Sequence, residues 1–180
     1  MTIQAFLPLV ILTVLPGAGK TTLAQKVKEH LRLQGKSISV LDGDVLRKTV
    51  NRDLGFSRTD RQENIRRLGA LAQSMLAENE IVIIAAINPY NEIRKELEHK
   101  FGVKTIWIHC SLQTLIKRDP KGLYRRAMLP KDHPDKIFNL TGIDDVYEEP
   151  KNPDLLIDTE KHSIEEASDL LVQFILERVQ

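Results

Sequence analysis

An unbroken apolar run from Leu7 to Val14 feeds into Pro16-Gly17-Ala18-Gly19-Lys20-Thr21-Thr22, and a helix-period segment opens within that stretch. Few chain geometries accept this order. A continuous apolar run suits a strand buried on both faces of a parallel sheet. Two glycines one residue apart let backbone N–H groups turn inward and cradle an anion. The segment Thr21 to Leu33 puts Leu23, Ala24, Val27 and Leu31 on one stripe, and its positive dipole end points at the same place. Lys20 is placed to reach β- and γ-phosphates, and the Thr21 hydroxyl to hold Mg²⁺. Pro16, Gly17, Ala18, Gly19, Lys20, Thr21 and Thr22 are therefore read as an ATP-binding loop, with Lys20 also catalytic. The match has one gap. The glycine that normally stands six residues before the lysine is Val14 here. A β-branched residue does not readily take a positive φ, so nucleotide affinity should suffer if the position needs one.

The remaining chain is consistent with such a loop on a single α/β domain spanning residues 1–180. Strands are expected at Ser37–Leu41, Ile81–Ile87, Val103–Cys110 and Leu155–Asp158. Helices are expected at Val45–Arg52, Thr59–Asn79, Asn91–Phe101, Leu112–Arg118 and Ser163–Arg178. This alternation predicts a three-layer α/β/α fold with a mainly parallel sheet, of the P-loop NTPase-like kind. Ligands of such sheets bind beyond the carboxyl ends of the strands. A net charge of +1 removes any global electrostatic case for nucleic acid or a membrane surface. The apolar N-terminal stretch Ala5 to Leu15 lacks a basic flank and is too short to cross a bilayer. Cys110 is the single cysteine, which excludes an internal disulfide and fits a reducing, cytoplasmic setting. The five histidines show no metal-ligand spacing. The closing helix carries Ala167, Leu170, Leu171, Phe174 and Ile175 on one face, for the core or for a dimer contact.

Three further segments carry chemistry. Asp42-Gly43-Asp44 ends the second strand beside the phosphate loop. A carboxylate there can order a metal's water or accept a proton from an attacking hydroxyl, and Asp44 also stands where a helix N-cap would be. Phe56 on a glycine turn can stack on a base or enter the core. Arg61, Arg66 and Arg67 can clamp an anion or lie along a solvated helix face. The stretch 119–153 holds five prolines and little periodicity. With Lys121, Arg125, Arg126 and Lys131 it reads either as a lid over something anionic or as a solvated loop.

Taken together, Pro16–Thr22, LDGDVLRKTVNRDLGFSRTDRQENIRRLG (Leu41 to Gly69), INPY (Ile87 to Tyr90), RDPKGLYRRA (Arg118 to Ala127) and TGIDDVYEEPKNPDLLIDT (Thr141 to Thr159) resemble the adenylyl-sulfate kinase family. The resemblance covers about Val10 to Thr159. It implies transfer of the γ-phosphate of ATP, with Mg²⁺, to the 3′-hydroxyl of adenosine 5′-phosphosulfate (APS), giving PAPS, by a cytoplasmic homodimer. It implies Asp44 as catalytic base, Thr21 and Asp42 at the metal, and Arg118 at ATP. For the substrate it implies Asp42, Asp44, Arg47, Phe56, Arg61, Asn64, Ile87, Asn88, Lys121, Leu140 and Thr141, with Gly142, Ile143 and Asp144 at the far end of the lid. Several residues depart from the family pattern. Val14 and Pro16 replace a glycine and a serine of the loop. Asn88 replaces the serine of an ISPY motif. Leu140 replaces a phenylalanine that forms half of an adenine clamp, and Met128 replaces a lid arginine. The lid is also longer around Leu129 to Asp135. These changes keep two alternatives open: a kinase of another nucleotide-like anion, and a nucleotide-binding homologue without catalysis.

Overall fold

The computed structural model describes residues 8–178 and forms one five-stranded parallel sheet between two helical layers. The strand order is β2-β3-β1-β4-β5. Fully buried β1 (Leu9–Thr13) lies at the centre, between β3 (Ile81–Ala85) and β4 (Lys104–His109). The edges are β2 (Ile38–Asp42) and β5 (Leu155–Asp158). Strand alternation divides the core. Val10, Leu12, Val14, Ile83 and Ile106 pack with α1 (Lys20–Leu33) and α7 (Ile164–Leu176). Leu9, Ile11, Val82 and Ile84 pack with α3 (Arg58–Met75) and α4 (Asn91–Phe101). Because α7 spends Leu171, Phe174 and Ile175 on this core, its apolar face serves the fold.

The differences from the expected boundaries have local causes. Helix α2 covers Gly43–Lys48, earlier and shorter than Val45–Arg52, because the Asp42 carboxylate accepts from the backbone N–H of Asp44 (2.8 Å) and Val45 (3.3 Å). The cap is thus Asp42, and Asp44 sits in the first turn. After α5 (Leu112–Arg118), the segment read as irregular contains α6 (Leu123–Ala127). Asp119 starts it by accepting from the N–H groups of Tyr124 (3.2 Å) and Arg125 (2.9 Å). A single turn is too short for its periodicity to show in sequence. Ala5, Phe6 and Leu7 lie outside the described residues.

All five strands run the same way, so their carboxyl ends share one edge of the sheet, and every segment singled out for chemistry leaves from that edge. The edge is held by the depth of β1. Leu12 is fully buried between Ala85 and Ile106, its register partners on β3 and β4. Leu12→Ala should destabilise the fold by about 2–5 kcal/mol through lost burial and a cavity. Thermal unfolding followed by circular dichroism would show this as a fall of several degrees in Tm.

Candidate active site

The phosphate loop resolves the problem posed by Val14. Its turns are made by Gly17 (φ 82°) and Gly19 (φ 88°), the left-handed region that glycine enters without strain. Val14 keeps a negative φ, is fully buried, and donates its N–H to the Ile87 carbonyl at 3.2 Å as an extension of β1. Nothing at position 14 requires glycine. Gly19 caps α1, so Lys20 begins the helix and its side chain runs into the site. There Lys20 Nζ lies 2.7 Å from Asp44 Oδ2, and Lys121 Nζ lies 4.0 Å from the same oxygen. The Thr21 hydroxyl donates to Asp42 Oδ2 at 2.7 Å. Burial works to raise the Asp42 carboxyl. The Thr21 hydroxyl, the N–H groups of Asp44 and Val45 and the Lys20 charge outweigh it and hold the group below the usual carboxylate range. Gly43 keeps this corner tight, since a Cβ there would stand 3.1 Å from Ala86 Cβ.

Three cavities meet at this corner. The first, of about 440 Å³, is lined by Pro16, Gly17, Lys20, Asp44, Phe56, Arg61, Ile87, Lys121, Leu140 and Thr141 among others. A side chamber of about 60 Å³ shares Asp44, Phe56, Arg61 and Ile87 with it and adds Arg47, Asn64 and Asn88. On the other side of the phosphate loop, about 270 Å³ is enclosed by Gly17, Ala18, Gly19, Thr22 and Arg118, with Thr159 and His162 from the β5–α7 connection. Gly17 borders both large cavities. The loop therefore stands between these two cavities.

The walls of the first cavity and its side chamber are built by cation–π contacts and ties to the segment after α5. Phe56 is 58% exposed rather than in the core, with the Arg47 and Arg61 guanidiniums 5.0 Å and 5.3 Å from its ring centroid. Arg61 itself is 5% exposed. It donates to the Phe56 and Asn139 carbonyls and pairs with Asp145 at 3.0 Å. Asn51 donates to Asn64 Oδ1 at 3.0 Å, which leaves the Asn64 N–H donors for the chamber. The lid folds against the loop: the buried Tyr124 hydroxyl donates to the Pro16 carbonyl at 2.7 Å. Burial pushes the Tyr124 phenol well above its ordinary value, so the tether stays protonated.

Several expected residues are elsewhere. Arg66 pairs with Glu96, and Arg67 with Asp53 and Glu63, so of Arg61, Arg66 and Arg67 only Arg61 faces a cavity. Arg125 and Arg126 are exposed, and Arg126 donates to the Asp135 carbonyl. The lid cation at the site is Lys121. Leu140 is 9% exposed, and the aromatic ring lining the first cavity from the lid is that of Phe138, two residues earlier and 57% exposed. Phe138 and His162 were not singled out from the sequence. Neither belongs to a recognisable spacing, because the lid and the β5–α7 connection reach the site only through the fold.

A family model described as Adenylylsulphate kinase matches residues 8–158. The chain belongs to the adenylylsulphate kinase family. An adenylyl-sulfate kinase of Bacillus velezensis is 44% identical over 167 residues, covering 91% of this chain and 82% of that protein. One from Bacillus licheniformis is 41% identical over 172 residues, covering 94% and 85%. The structure of the Mycobacterium tuberculosis APS kinase in complex with AMPPNP and APS superposes with a TM-score of 0.83 at 36% identity, covering 94% of this chain and 98% of that one. Membership in the adenylylsulphate kinase family makes this chain an ATP-dependent kinase and brings the departures at Val14, Asn88 and Leu140 into one frame. The first is absorbed by the strand, and the third is accompanied by a nearby ring at Phe138.

The Tyr124 tether carries a prediction. Tyr124→Phe leaves the Pro16 carbonyl without its partner and should cost about 1–3 kcal/mol of stability. A phenol whose pKa is raised in the fold contributes stability in full below its unfolded value of about 10 and loses it as pH rises through the folded value. Chemical denaturation at pH 8 and pH 11 should therefore show a smaller alkaline loss in the variant than in the wild type.

Proposed function

We propose that the chain phosphorylates the 3′-hydroxyl of adenosine 5′-phosphosulfate with ATP, giving PAPS and ADP. The observation that carries the assignment is the position of Asp44. It lies in the first turn of α2, bordering the acceptor cavity and within 2.7 Å of the Lys20 ammonium that serves the phosphate loop. ATP takes the cavity of Gly19, Thr22, Arg118 and His162, with its phosphates on the loop N–H groups and Lys20 drawn from Asp44 onto the β- and γ-phosphates. APS takes the opposite cavity. Its adenine lies against Phe56 and Phe138, and its anionic end enters the chamber of Arg47, Arg61 and Asn64. Freed from Lys20, Asp44 accepts the 3′-hydroxyl proton as the phosphoryl group transfers.

The adjacent Thr21 hydroxyl and Asp42 carboxylate form an all-oxygen donor set suited to a hard divalent cation, with the carboxylate kept ionised. When bound there, Mg²⁺ would neutralise charge on the β- and γ-phosphates. Asp42 has a second task in capping α2, which fixes where Asp44 stands. The lid excludes water through Tyr124, Lys121 and the Arg61–Asp145 pair. By family resemblance the chain is read as a cytoplasmic homodimer, which light scattering of the purified protein would test.

Product mass after incubation with Mg·ATP and APS should show PAPS, with ADP release dependent on APS. APS-independent hydrolysis alone would remove the assignment. Asp44→Asn should lower kcat by roughly 10²–10⁴ with ATP affinity nearly unchanged. Phe138→Ala should raise the KM for APS by roughly 5- to 100-fold, the range for one lost base-stacking face, and leave the KM for ATP alone.

A further inference from the structure

The fold brings together three metal-binding side chains that the sequence keeps apart. His109 ends β4, Asp158 ends β5, and Glu160 follows in the β5–α7 connection. β4 and β5 pair in parallel with His109 opposite Asp158, so the register sets both side chains on one face at the ligand edge of the sheet. One ligand atom each from His109, Asp158 and Glu160 lie within 4.8 Å of one another, the one such set among the described residues. The histidines show no metal-ligand spacing along the chain, because the partners of His109 arrive on another strand.

The three groups are held in place without being spent on one another. His109 Nδ1 lies 3.6 Å from Asp158 Oδ1, too long for a hydrogen bond. Two ligands of one tetrahedral ion with bonds of about 2.0–2.1 Å stand roughly 3.3–3.4 Å apart, so this gap closes on an ion with little movement. The imidazole rests edge-on against Trp107, with ring centroids 5.2 Å apart. Lys161 takes Asp158 Oδ2 at 3.2 Å, which turns Oδ1 toward His109, and Oδ1 also accepts the Glu160 N–H at 3.0 Å. Glu160 accepts from the Ser111 N–H at 3.1 Å, from the Ser111 hydroxyl at 2.9 Å and from the Thr114 hydroxyl. Outer contacts of this kind orient metal ligands. They also hold both carboxyls below the usual range, led by the Glu160 N–H at Asp158 and by the Thr114 hydroxyl at Glu160. Both carboxylates are therefore ionised, as ligands must be.

We propose that His109, Asp158 and Glu160 form a Zn²⁺ site, separate from the Thr21–Asp42 pair. An imidazole nitrogen in the donor set favours Zn²⁺ over Mg²⁺, which keeps to oxygen ligands and sheds water reluctantly. Three protein ligands leave the fourth position to water, reached from solvent past exposed Glu160. The site is a brace. Thr159 stands between two of the ligands, and its N–H and hydroxyl both donate to the His109 carbonyl, at 2.9 and 3.1 Å. It also lines the 270 Å³ cavity beside Arg118. An ion here ties the ends of β4 and β5 together and stiffens that wall.

The test titrates Zn²⁺ into metal-free full-length protein by calorimetry, with excess Mg²⁺ present to occupy the Thr21–Asp42 pair, and follows Tm in parallel. The wild type should take up one Zn²⁺ per chain. At about a hundred times its Kd, Zn²⁺ should raise Tm by roughly 5–10 °C. His109→Phe keeps a ring against Trp107 and deletes the ligand, and Glu160→Gln removes a charge at an exposed position. Each should abolish the Tm rise. Thr114→Val removes only an outer contact and should weaken Zn²⁺ by roughly 10- to 100-fold. No saturable Zn²⁺ uptake by the wild type would overturn the proposal. An unchanged Zn²⁺ affinity in either ligand variant would also overturn it, since the three-ligand site would then lack that ligand. If His109→Phe fails to fold, Glu160→Gln decides alone.

Discussion

The Thr13 hydroxyl and the Arg94 guanidinium form a buried knot on which the ligand edge of this molecule depends. Thr13 is the last residue of the central strand and is fully buried. Its hydroxyl lies 3.0 and 2.9 Å from the Ile87 and Asn88 carbonyls, accepts from Arg94 at 3.1 Å and touches the Tyr147 hydroxyl at 3.2 Å. Four segments are joined there: the strand entering the phosphate loop, the β3–α4 connection, α4 itself and the returning end of the lid. A buried guanidinium is costly unless its donors are used. Here its N–H groups reach two backbone carbonyls, an amide oxygen and a hydroxyl, and its carbon lies 5.4 Å from the Tyr147 ring centroid. Burial lowers the Arg94 pKa, yet these acceptors are what make the charge tolerable.

A second organising contact lies across the site. Arg61 joins Phe56, Asn139 and Asp145, so the Phe56 wall of the first cavity and the segment 139–145 are held by one side chain that also borders the side chamber. The two acidic residues of Thr141-Gly142-Ile143-Asp144-Asp145 divide the work. Asp144 accepts from the N–H groups of Asn139 and Leu140 at 3.0 and 2.6 Å and shapes the turn, while Asp145 balances Arg61. Any ligand that draws on Arg61 therefore also acts on the lid. Lys20 is in a similar position, since its 2.7 Å pair with Asp44 holds together the two groups proposed to be catalytic. Such contacts make the site compact without filling it.

Much of this was legible in the chain. The apolar run into Gly17 and Gly19 specified a buried strand, a left-handed turn and a helix, because few other backbones satisfy those residues in that order. The alternation of strands and helices then required a parallel sheet and a ligand edge. Asp42 and Asp44 could be placed at that edge, but their division of labour could not. Which carboxylate caps α2 depends on where the helix begins, and that is set by hydrogen bonds only 2.8 and 3.3 Å long. The arginines of α3 show the same limit. Arg61, Arg66 and Arg67 are near neighbours in sequence, yet only the first turns to the cavity, and the other two meet carboxylates on α4, α3 and the α2–α3 connection.

The sequence by itself determined the fold class, the phosphate loop and the family, because those follow from periodicity, backbone freedom and motif order, which are local properties read along the chain. Tertiary structure alone decided that position 14 needs no positive φ, that Phe138 brings a ring to the first cavity beside Leu140, and that the Asn88 amide is buried without a partner. Each of these depends on where a lid or a connection returns after many intervening residues. Long-range packing fixes that return, and no local pattern records it.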